Sequence, residues 1–477
     1  MADLIVFWHR RDLRLADNLG LAAARAKTAK VVGLFCLDPY LLKPEAVAPA
    51  RMAYLLESLA ELQQSYRSIG SDLLILHQPP AEGIPVLASQ LGARAIHWNW
   101  DVEPYAQARD RCVREALKEQ GIAVHTGWDQ LLHAPGQVRT QAGDPYMVYT
   151  PFWKNWRSQP KAAPAPSLWD CQGLTEAEQD CARQAGAVPL PSLQDLGFCW
   201  QEPLPLPPGE QAAWDRFLAF CNRDRTIVDY DQQRNCPAKD GTSRLSAAFK
   251  FGTLGIRAVW QEAMAAYQRC RSDRTEAGIE AWQQELAWRE FYQHALYFFP
   301  DLAEGAYRER MQNFPWENDP DLFEAWCAGE TGFPIVDAAM RQLNQTGWMH
   351  NRCRMIVASF LTKDLLISWQ WGEQYFMQHL VDGDLSANNG GWQWSASSGM
   401  DPKPLRIFNP VSQAQKYDPQ GEYIRHWLPD LADLSTESLI TGEISPQQRQ
   451  ARSYPAPVVN HAAQRQAFRD RYQNQHQ

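Results

Sequence analysis

The sequence lacks the spacings that mark a metal site and most of the short motifs that mark an enzyme class. Ten cysteines are scattered over 477 residues without a C-x-x-C pair. We therefore expect reduced thiols and no bound metal. The chain also has no P-loop, no H-E-x-x-H and no recognisable Ser–His–Asp grouping. Metal chemistry and triad-type acid–base chemistry therefore have no obvious site.

Long apolar runs are also missing. No run is long enough to span a bilayer, and the N-terminal run LIVFW is followed by arginines, which is the wrong order for a signal peptide. We expect a cytoplasmic protein without a membrane partner. The formal net charge is −9, which argues mildly against nucleic-acid binding, although a local basic patch can exist within an acidic total.

Aromatic residues are abundant instead. There are 20 tryptophans, and half of them lie between Trp282 and Trp427. Such a density is compatible with a large core built from big side chains, or with chemistry that needs aromatic rings. Composition alone leaves both interpretations open.

The first part of the chain alternates apolar runs with amphipathic stretches. We predict strands at 4–8, 31–37, 72–77, 94–99 and 122–125, with helices at 18–28, 51–68, 84–91 and 104–120 between them. This alternation predicts a parallel, five-stranded, Rossmann-like sheet covered by helices. No G-x-G-x-x-G follows the first strand; HRRDLRLADN stands there, in a loop position where such sheets usually bind ligands.

Composition changes twice along the chain. We predict an α/β domain at 1–130, a proline-rich connector at 131–210 that is extended in places, and an all-α domain at 211–477. Helical spacing recurs in the last part of the chain. The predicted helices are 211–223, 244–250, 255–270, 276–298, 322–328, 334–345, 350–366 and 371–380.

One predicted helix carries an unusual combination of side chains. In AWQQELAWREFYQH, Glu285, Trp288, Arg289 and Tyr292 share a helix face. A carboxylate, an indole and a guanidinium suit a pocket that stacks an aromatic ligand and bonds its edge. A surface Glu–Arg pair on an ordinary amphipathic helix is the simpler interpretation of this segment alone.

Two later segments are also polar in an apolar context. In GWMHNRCRMIVASFLTKDL, an Asn and two Arg would need partners when buried, which favours a polar ligand over a plain core helix. We interpret VDGDLSANNGGWQW (381–394) as an irregular loop, either with Asx turns only or with a binding role.

Two further segments suggest phosphate contacts. DGTSRLS (240–246) precedes a predicted helix, so it is either a phosphate site or an ordinary N-cap. PKPLRIFNP (402–410) combines cations with apolar residues, so it is either a loop that faces phosphates and stacked bases or a plain surface loop.

Taken together, these segments resemble the photolyase/cryptochrome family over nearly the whole chain. The resemblance is carried by FWHRRDLRLADN, QQELAWREFYQH, GFPIVDAAMRQL, GWMHNRCRMIVASFLTKDLL, DGDLSANNGGWQWSASSGMDP and RIFNP, in the family's order. The C-terminal half is similar to bacterial enzymes of the class I cyclobutane-dimer group. Ala247 departs slightly from the family pattern, which usually has proline there.

The resemblance implies a bent FAD in the helical domain, with FADH⁻ as its working form. Asp384 would accept from flavin N3–H, the Arg354–Asp382 pair would lie beside the ring, and Asn388 would face N5. The remaining implied FAD contacts are Tyr230, Thr242, Ser243, Ser246, Trp282 and Arg289.

The resemblance further implies that UV-damaged DNA is the partner and that a pyrimidine dimer is flipped out of the duplex. Trp288 and Trp394 would stack on the dimer, Glu285 and Asn351 would bond its base edges, and Met355 would complete the pocket. Excited FADH⁻ would pass one electron to the dimer, the C5–C5 and C6–C6 bonds would open, and the electron would return. A protonated Glu285 could stabilise the charge that develops at the pyrimidine O4.

Three more sets of residues follow from the resemblance. Trp392, Trp369 and Trp316 would form an electron-transfer chain from the flavin to the surface. DNA contacts would come from Arg234, Arg352, Lys403, Pro404, Leu405, Arg406 and Lys416. An antenna pigment would lie against Arg11, Cys36, Arg51, Asp101, Glu103 and Lys250. We expect 8-hydroxy-5-deazaflavin as this antenna, with methenyltetrahydrofolate as the alternative, and a monomeric protein.

Three other functions remain as alternatives. Photolyases for 6-4 photoproducts typically carry histidines where this chain has Asn351 and Met355. Cryptochrome light sensors often carry a long tail, whereas this chain ends about seventy residues after RIFNP. A flavin oxidoreductase would need a nicotinamide site, and no such motif is visible.

Overall fold

Short strands form one sheet, and its central strands are buried. The structure is a computed structural model that describes residues 3–222, 227–269, 273–401 and 405–475. The strands are β1 (Ile5–His9), β2 (Val31–Cys36), β3 (Leu73–Leu76), β4 (Ala95–Asn99), β5 (Ala123–Gly127) and β6 (Ala187–Val188). Every residue of β1, β2 and β4 is buried, as expected for strands of a parallel sheet that is covered on both faces.

The strand order is β5-β4-β1-β2-β3-β6, and all pairs are parallel except β3 with β6. The five predicted parallel strands and the α/β class are therefore confirmed. The sheet also has a sixth strand, which the sequence analysis missed because a two-residue edge strand leaves no periodic pattern. The order reverses at β1 and β4, so the loops after these strands diverge at a topological switch point.

Backbone packing divides the chain into two compact units, Met1–Val228 with Ser243–Pro300 and Asp229–Thr242 with Asp301–Gln477. The predicted functional boundaries at residues 130 and 210 stay a prediction. Helices of the first unit are α1 (Leu19–Arg25), α2 (Pro49–Ser68), α3 (Pro80–Gln90), α4 (Pro104–Glu119), α5 (Tyr149–Ser158), α6 (Glu176–Gln184), α7 (Glu210–Asn222), α9 (Ser246–Phe251), α10 (Ile256–Arg269) and α11 (Asp273–Phe298).

Buried charges join α10 to the segments that follow β1 and β5 in the first unit. Arg257, near the start of α10, pairs with Asp17 at 2.7 Å and with Asp129 at 2.6 Å. All three side chains are almost fully buried, so each charge depends on its partners. The positive φ of Asp17 belongs to the turn before α1 that makes this geometry possible.

The described residues of the second unit form helices joined by loops and contain no strand. Its helices are α8 (Tyr230–Gln233), α12 (Glu309–Gln312), α13 (Pro320–Ala328), α14 (Pro334–Thr346), α15 (Asn351–Lys363), α16 (Trp369–His379), α17 (Leu385–Ala396), α18 (Pro410–Tyr417), α19 (Glu422–Trp427), α20 (Thr436–Thr441), α21 (Pro446–Ala451) and α22 (His461–Asn474). One hydrophobic cluster, drawn mainly from α13 to α20, forms its core. The predicted all-α character is confirmed.

One prediction about local structure was wrong. The segment 381–394 is mostly helical, because α17 begins at Leu385 with Asp384 as its N-cap. The connector, predicted to be extended in places, also contains α5 and α6. Among the described residues, no helix is both long and apolar enough to cross a membrane.

Candidate functional site

The face predicted on α11 is present in the first unit. Trp288 and Tyr292 stack with their ring centroids 5.6 Å apart, and both side chains are half-buried. Arg289 donates to the carbonyl of Gln130 at 2.8 Å and to that of Phe249 at 3.4 Å. The guanidinium of Arg289 therefore joins α11 to the loop after β5 and to α9, which is more than a surface ion pair would do.

Trp288 is held from a second side by the connector. The ring of Tyr149 lies parallel to the indole, with centroids 3.4 Å apart and an angle of 6° between the planes. Sequence reasoning missed Tyr149 because it lies in a stretch that was interpreted as a linker. Nothing in the local pattern signals this contact.

Three further predicted FAD contacts lie in the first unit, namely Trp282, Ser243 and Ser246. Trp282 and Ser243 both contact α7. Trp282 is buried and stacks on Phe217 at 5.4 Å. The Ser243 carbonyl accepts from Arg216 at 3.0 Å. Ser246 is the first residue of α9. The N-cap position is occupied by Leu245, which makes no side-chain cap bond, so α9 does not begin with an ordinary serine or threonine N-cap.

In the second unit, α15 presents its polar residues at its N-terminal end. Asn351 is exposed and Met355 is half-buried. Arg354 donates to both oxygens of Asp382, at 3.1 and 2.8 Å, and to the Met349 carbonyl at 2.9 Å. The carboxylate of Asp382 is nearly inaccessible to solvent, so the predicted Arg354–Asp382 pair is formed and its charge is compensated.

The start of α17 collects a second set of polar groups. Asp384 accepts from Ala387 N at 3.0 Å and from the Ser386 hydroxyl at 2.6 Å. The amide nitrogen of Asn388 donates to the Glu373 carbonyl at 3.0 Å. This bond joins the Asn388 side chain to the backbone of α16.

Glu373 is a further residue that sequence reasoning missed. Its carboxylate accepts from Asn389 at 3.0 Å, and its backbone carbonyl holds Asn388. Burial raises the pKa of Glu373 to about 7. One acidic residue thus orients two neighbouring asparagines of α17, and only the three-dimensional packing of α16 on α17 reveals it.

The three predicted electron-transfer tryptophans belong to one hydrophobic cluster of the second unit. Trp392 and Trp369 are buried and Trp316 packs against the same cluster from a less buried position. Trp392 makes an edge contact with Trp326 at 6.1 Å and with Phe376 at 5.0 Å. The cluster thus holds aromatic rings close to Trp392 from more than one helix.

Basic residues gather around Tyr417 in the second unit. Arg352 lies over the Tyr417 ring at 4.3 Å and Lys416 at 5.3 Å. Arg352 also donates to Asn235 at 2.6 Å, and burial lowers its pKa. Arg234, whose charge adds to this lowering, lies over Tyr230 at 5.7 Å. Three predicted DNA contacts are thereby brought together.

The other predicted DNA residues follow α17. Leu405 is exposed, and Arg406 lies over the Trp394 ring at 5.2 Å while it pairs with Asp401 at 3.5 Å. Lys403 and Pro404 lie outside the described residues. Thr242, a predicted FAD contact, is half-buried in the same unit as Tyr230, which is buried at the start of α8.

Predicted antenna residues meet at the switch point of the sheet. Arg11 pairs with Glu103 at 2.9 Å and with Asp101 at 3.4 Å, and Lys250 lies 3.6 Å from Glu103. Nearby cations lower the pKa of Asp101 against the effect of burial. A small cavity is lined by residues that follow β1, β4 and β5, including Arg10, Arg11, Asn99, Trp100, Asp101 and Gln130.

Two antenna candidates are more enclosed. Cys36 is buried at the end of β2 and donates its thiol to the Gln78 carbonyl at 3.1 Å. Arg51 is buried near the start of α2. Elsewhere in the described part of the chain, no grouping of three histidine, cysteine or acidic side chains could hold a metal ion.

Comparisons with known proteins agree with this architecture. Residues 5–168 match the DNA photolyase family, and residues 282–474 match the FAD binding domain of DNA photolyase. A deoxyribodipyrimidine photo-lyase from a Synechococcus species is 58% identical over 472 residues, which are 99% of this chain and 97% of that protein. The chain therefore belongs to the DNA photolyase family, and the predicted resemblance is confirmed.

Solved structures give the same fold. A class III photolyase from Agrobacterium tumefaciens is similar with a TM-score of 0.87 and 33% identity, covering 100% of this chain and 98% of that one. A Synechocystis cryptochrome also reaches a TM-score of 0.87, with 29% identity and coverage of 98% and 99%. The fold is thus shared with a photolyase and with a cryptochrome, so activity has to be argued from the site.

Proposed function

We propose that the protein is a deoxyribodipyrimidine photo-lyase, which splits cyclobutane pyrimidine dimers in DNA with light. The observation that carries this proposal is the half-buried indole of Trp288, held parallel to Tyr149 and one helical turn from Glu285 on α11. A stacking surface beside a carboxyl group suits a flipped pyrimidine dimer whose base edges can be hydrogen-bonded. The full-length relative from Synechococcus, which carries that enzyme name, supports the same reading.

The residues of α15 and α17 fit FAD chemically. A flavin ring needs an acceptor for N3–H, a cation near its polar edge and a polar group at N5. Asp384, Arg354 and Asn388 supply these three types, and the bond from Asn388 to the Glu373 carbonyl leaves the amide oxygen as the group offered to N5. When bound and fully reduced, FAD supplies the light-excited electron that opens the dimer.

Residues of this chain would bind and orient the dimer. Trp288 and Trp394 would stack on its rings, Glu285 and Asn351 would bond its base edges, and Met355 would also contact it. Glu285 would hold a proton aimed at a pyrimidine O4, where negative charge develops during the reaction. Trp392, Trp369 and Trp316 would carry electrons between the flavin site and the surface.

DNA would be held through its phosphates by the basic cluster around Tyr417. Arg234, Arg352 and Lys416 supply local positive charge in spite of the net charge of −9. Leu405 and the neighbouring Lys403, Pro404 and Arg406 would contact the duplex where the dimer has left the stack.

An antenna pigment would bind at the switch point of the sheet. The ionic group of Arg11, Asp101, Glu103 and Lys250 suits a polar heteroaromatic molecule, and Cys36 and Arg51 would complete the site. We propose 8-hydroxy-5-deazaflavin, with methenyltetrahydrofolate as the alternative. The cytoplasmic location and the monomeric state stay predictions.

Substitutions in the pocket test this proposal. Glu285→Ala and Asn351→Ala, in protein that still contains FAD, should slow light-dependent dimer repair by one to several orders of magnitude, because base-edge bonds and charge stabilisation are lost. Glu443→Ala, at an exposed acidic residue, is the matched control. Repair at the wild-type rate in both pocket variants would contradict the roles proposed for Glu285 and Asn351.

A further inference from the structure

Helix α5 places a stripe of aromatic side chains on α11. Tyr149, Phe152 and Trp156 follow one another at helical spacing. The Tyr149 ring stacks on Trp288 at 3.4 Å, and the Phe152 ring meets Phe291 at 5.4 Å. The indole of Trp156 donates to Glu290 at 2.6 Å. The two helices are therefore joined along three successive contacts.

Tyr149 is fixed at both ends of its side chain. Its backbone forms the first residue of α5, and its hydroxyl donates to the carbonyl of Gln284 at 2.9 Å. Gln284 lies one helical turn before Trp288 on the same helix. The ring also meets Phe291 edge-on, with centroids 5.9 Å apart and an angle of 82°. These contacts restrict the ring to one orientation.

Because the Tyr149 ring is held in one orientation, it limits the movement of the Trp288 indole that it covers. A half-exposed tryptophan ordinarily changes rotamer, and ordering it during binding costs free energy. Here Tyr149 stacks on Trp288 at 3.4 Å, Tyr292 stacks on it with a larger offset at 5.6 Å, and Phe291 meets it edge-on at 5.8 Å. The indole is therefore already ordered before a ligand stacks on it.

The geometry points to Tyr149 as a positioning residue for dimer recognition, acting through Trp288. This inference rests on the proposed function, because it assigns the stacking surface to the flipped dimer. It predicts that Tyr149 affects binding of damaged DNA while leaving the rate of repair in the bound complex unchanged. It also gives the connector, through α5, a part in substrate recognition.

A double-mutant cycle on the FAD-containing protein tests the inference. Dissociation constants for a thymine-dimer oligonucleotide would be measured in the dark for Tyr149→Ala, Trp288→Ala and the double variant. Tyr149→Ala should weaken dimer binding about threefold to tenfold, the effect expected from one lost aromatic pair. In the Trp288→Ala background it should cause no further loss, because the coupling runs through that indole.

Conservative variants separate positioning from folding. Tyr149→Phe keeps the ring and should retain most of the affinity, whereas Tyr149→Leu keeps apolar bulk and should weaken binding as Tyr149→Ala does. FAD content and affinity for undamaged DNA should stay at the wild-type level in all of them. Tyr146→Ala is the matched control, since the Tyr146 ring contacts Phe152 and its hydroxyl accepts from Asn155.

The outcomes distinguish this inference from the proposed function. If the wild-type protein does not prefer dimer-containing DNA, the proposed function fails. If the wild-type protein prefers it and Tyr149→Ala or Tyr149→Leu does so equally well, the inference fails. Additive losses in the double variant would also contradict it, since they would show that Tyr149 does not act through Trp288.

Discussion

Arg354 and Asp382 form a two-pronged ion pair across α15 and the loop before α17. The guanidinium nitrogen lies 3.1 and 2.8 Å from the two carboxylate oxygens. Asp382 is buried while Arg354 is about a quarter exposed. The pair therefore compensates a buried charge and leaves part of the Arg354 side chain accessible.

Removing the cation should damage both folding and cofactor retention. Arg354→Ala leaves the buried Asp382 carboxylate without its partner, which typically costs about 3 kcal/mol or more. We expect a lower melting temperature and a smaller flavin-to-protein absorbance ratio after purification. Arg341→Ala is the control, because Arg341 meets the exposed Asp430 only at 4.0 Å. Unchanged flavin content in Arg354→Ala would contradict the assignment.

The pH dependence of stability should report the buried Glu373. Its pKa rises from 4.5 to about 7 on folding because burial disfavours the charged carboxylate. The folded state thus binds the proton more tightly, so this contribution is fully present below about pH 4.5 and is lost as pH rises through about 7.

Glu373→Gln keeps the acceptor for Asn389 and removes the titration. Relative to the wild type, the variant should gain up to about 3 kcal/mol between pH 5 and pH 8. Chemical denaturation at the two pH values measures this difference, with the exposed Glu443→Gln as control. A wild-type-to-variant difference that does not change with pH would show that Glu373 is not perturbed by burial.

Electron transfer through Trp392 should be separable from repair. Trp392→Phe should abolish light-driven reduction of an oxidised flavin, because phenylalanine is much harder to oxidise than tryptophan. Protein that is first reduced chemically should still repair dimers. Trp427→Phe, at a tryptophan that contacts Tyr423 and His426, is the control. Undiminished photoreduction in Trp392→Phe would exclude the proposed chain.

Binding of DNA should depend on salt through the basic cluster around Tyr417. Lys416→Ala should weaken binding to all sequences about equally and reduce the slope of log affinity against log salt by about 0.9, the value for one phosphate contact. Arg465→Ala, at an exposed cation of α22, should leave the slope unchanged. If the slope of log affinity against log salt is the same in the wild type and in Lys416→Ala, Lys416 does not contact a DNA phosphate.

The sequence predicted the bounds of some strands well but missed helix α17, and both outcomes have a physical cause. Strands β1, β2 and β4 are short, buried and rich in apolar residues, so their bounds were predicted to within a residue or two. Helix α17 was missed because LSANNGGWQWSA is rich in residues with low helix propensity. The Asp384 cap and packing against α15 and α16 stabilise that helix, and neither is visible in a local pattern.

Pairings between distant segments could not be predicted in the same way. The Arg354–Asp382 pair came from the family resemblance, and the structure supplies its geometry. Tyr149 and Glu373 act on Trp288 and Asn388 through contacts that only the packed helices create. Positioning residues such as Tyr149 and Glu373 are therefore not identified by motifs in the sequence, even where the motif residues that they contact are identified.

Repair of a defined lesion tests the central claim most directly. Protein reduced under nitrogen would be mixed with oligonucleotides that contain a cyclobutane thymine dimer or a 6-4 photoproduct, and would be illuminated with blue light beside dark controls. We expect that the ultraviolet absorbance of the bases recovers only for the cyclobutane dimer and only in light, and that Trp288→Ala slows this recovery. No recovery in a preparation shown to contain reduced FAD, or recovery of the 6-4 lesion instead, would contradict it.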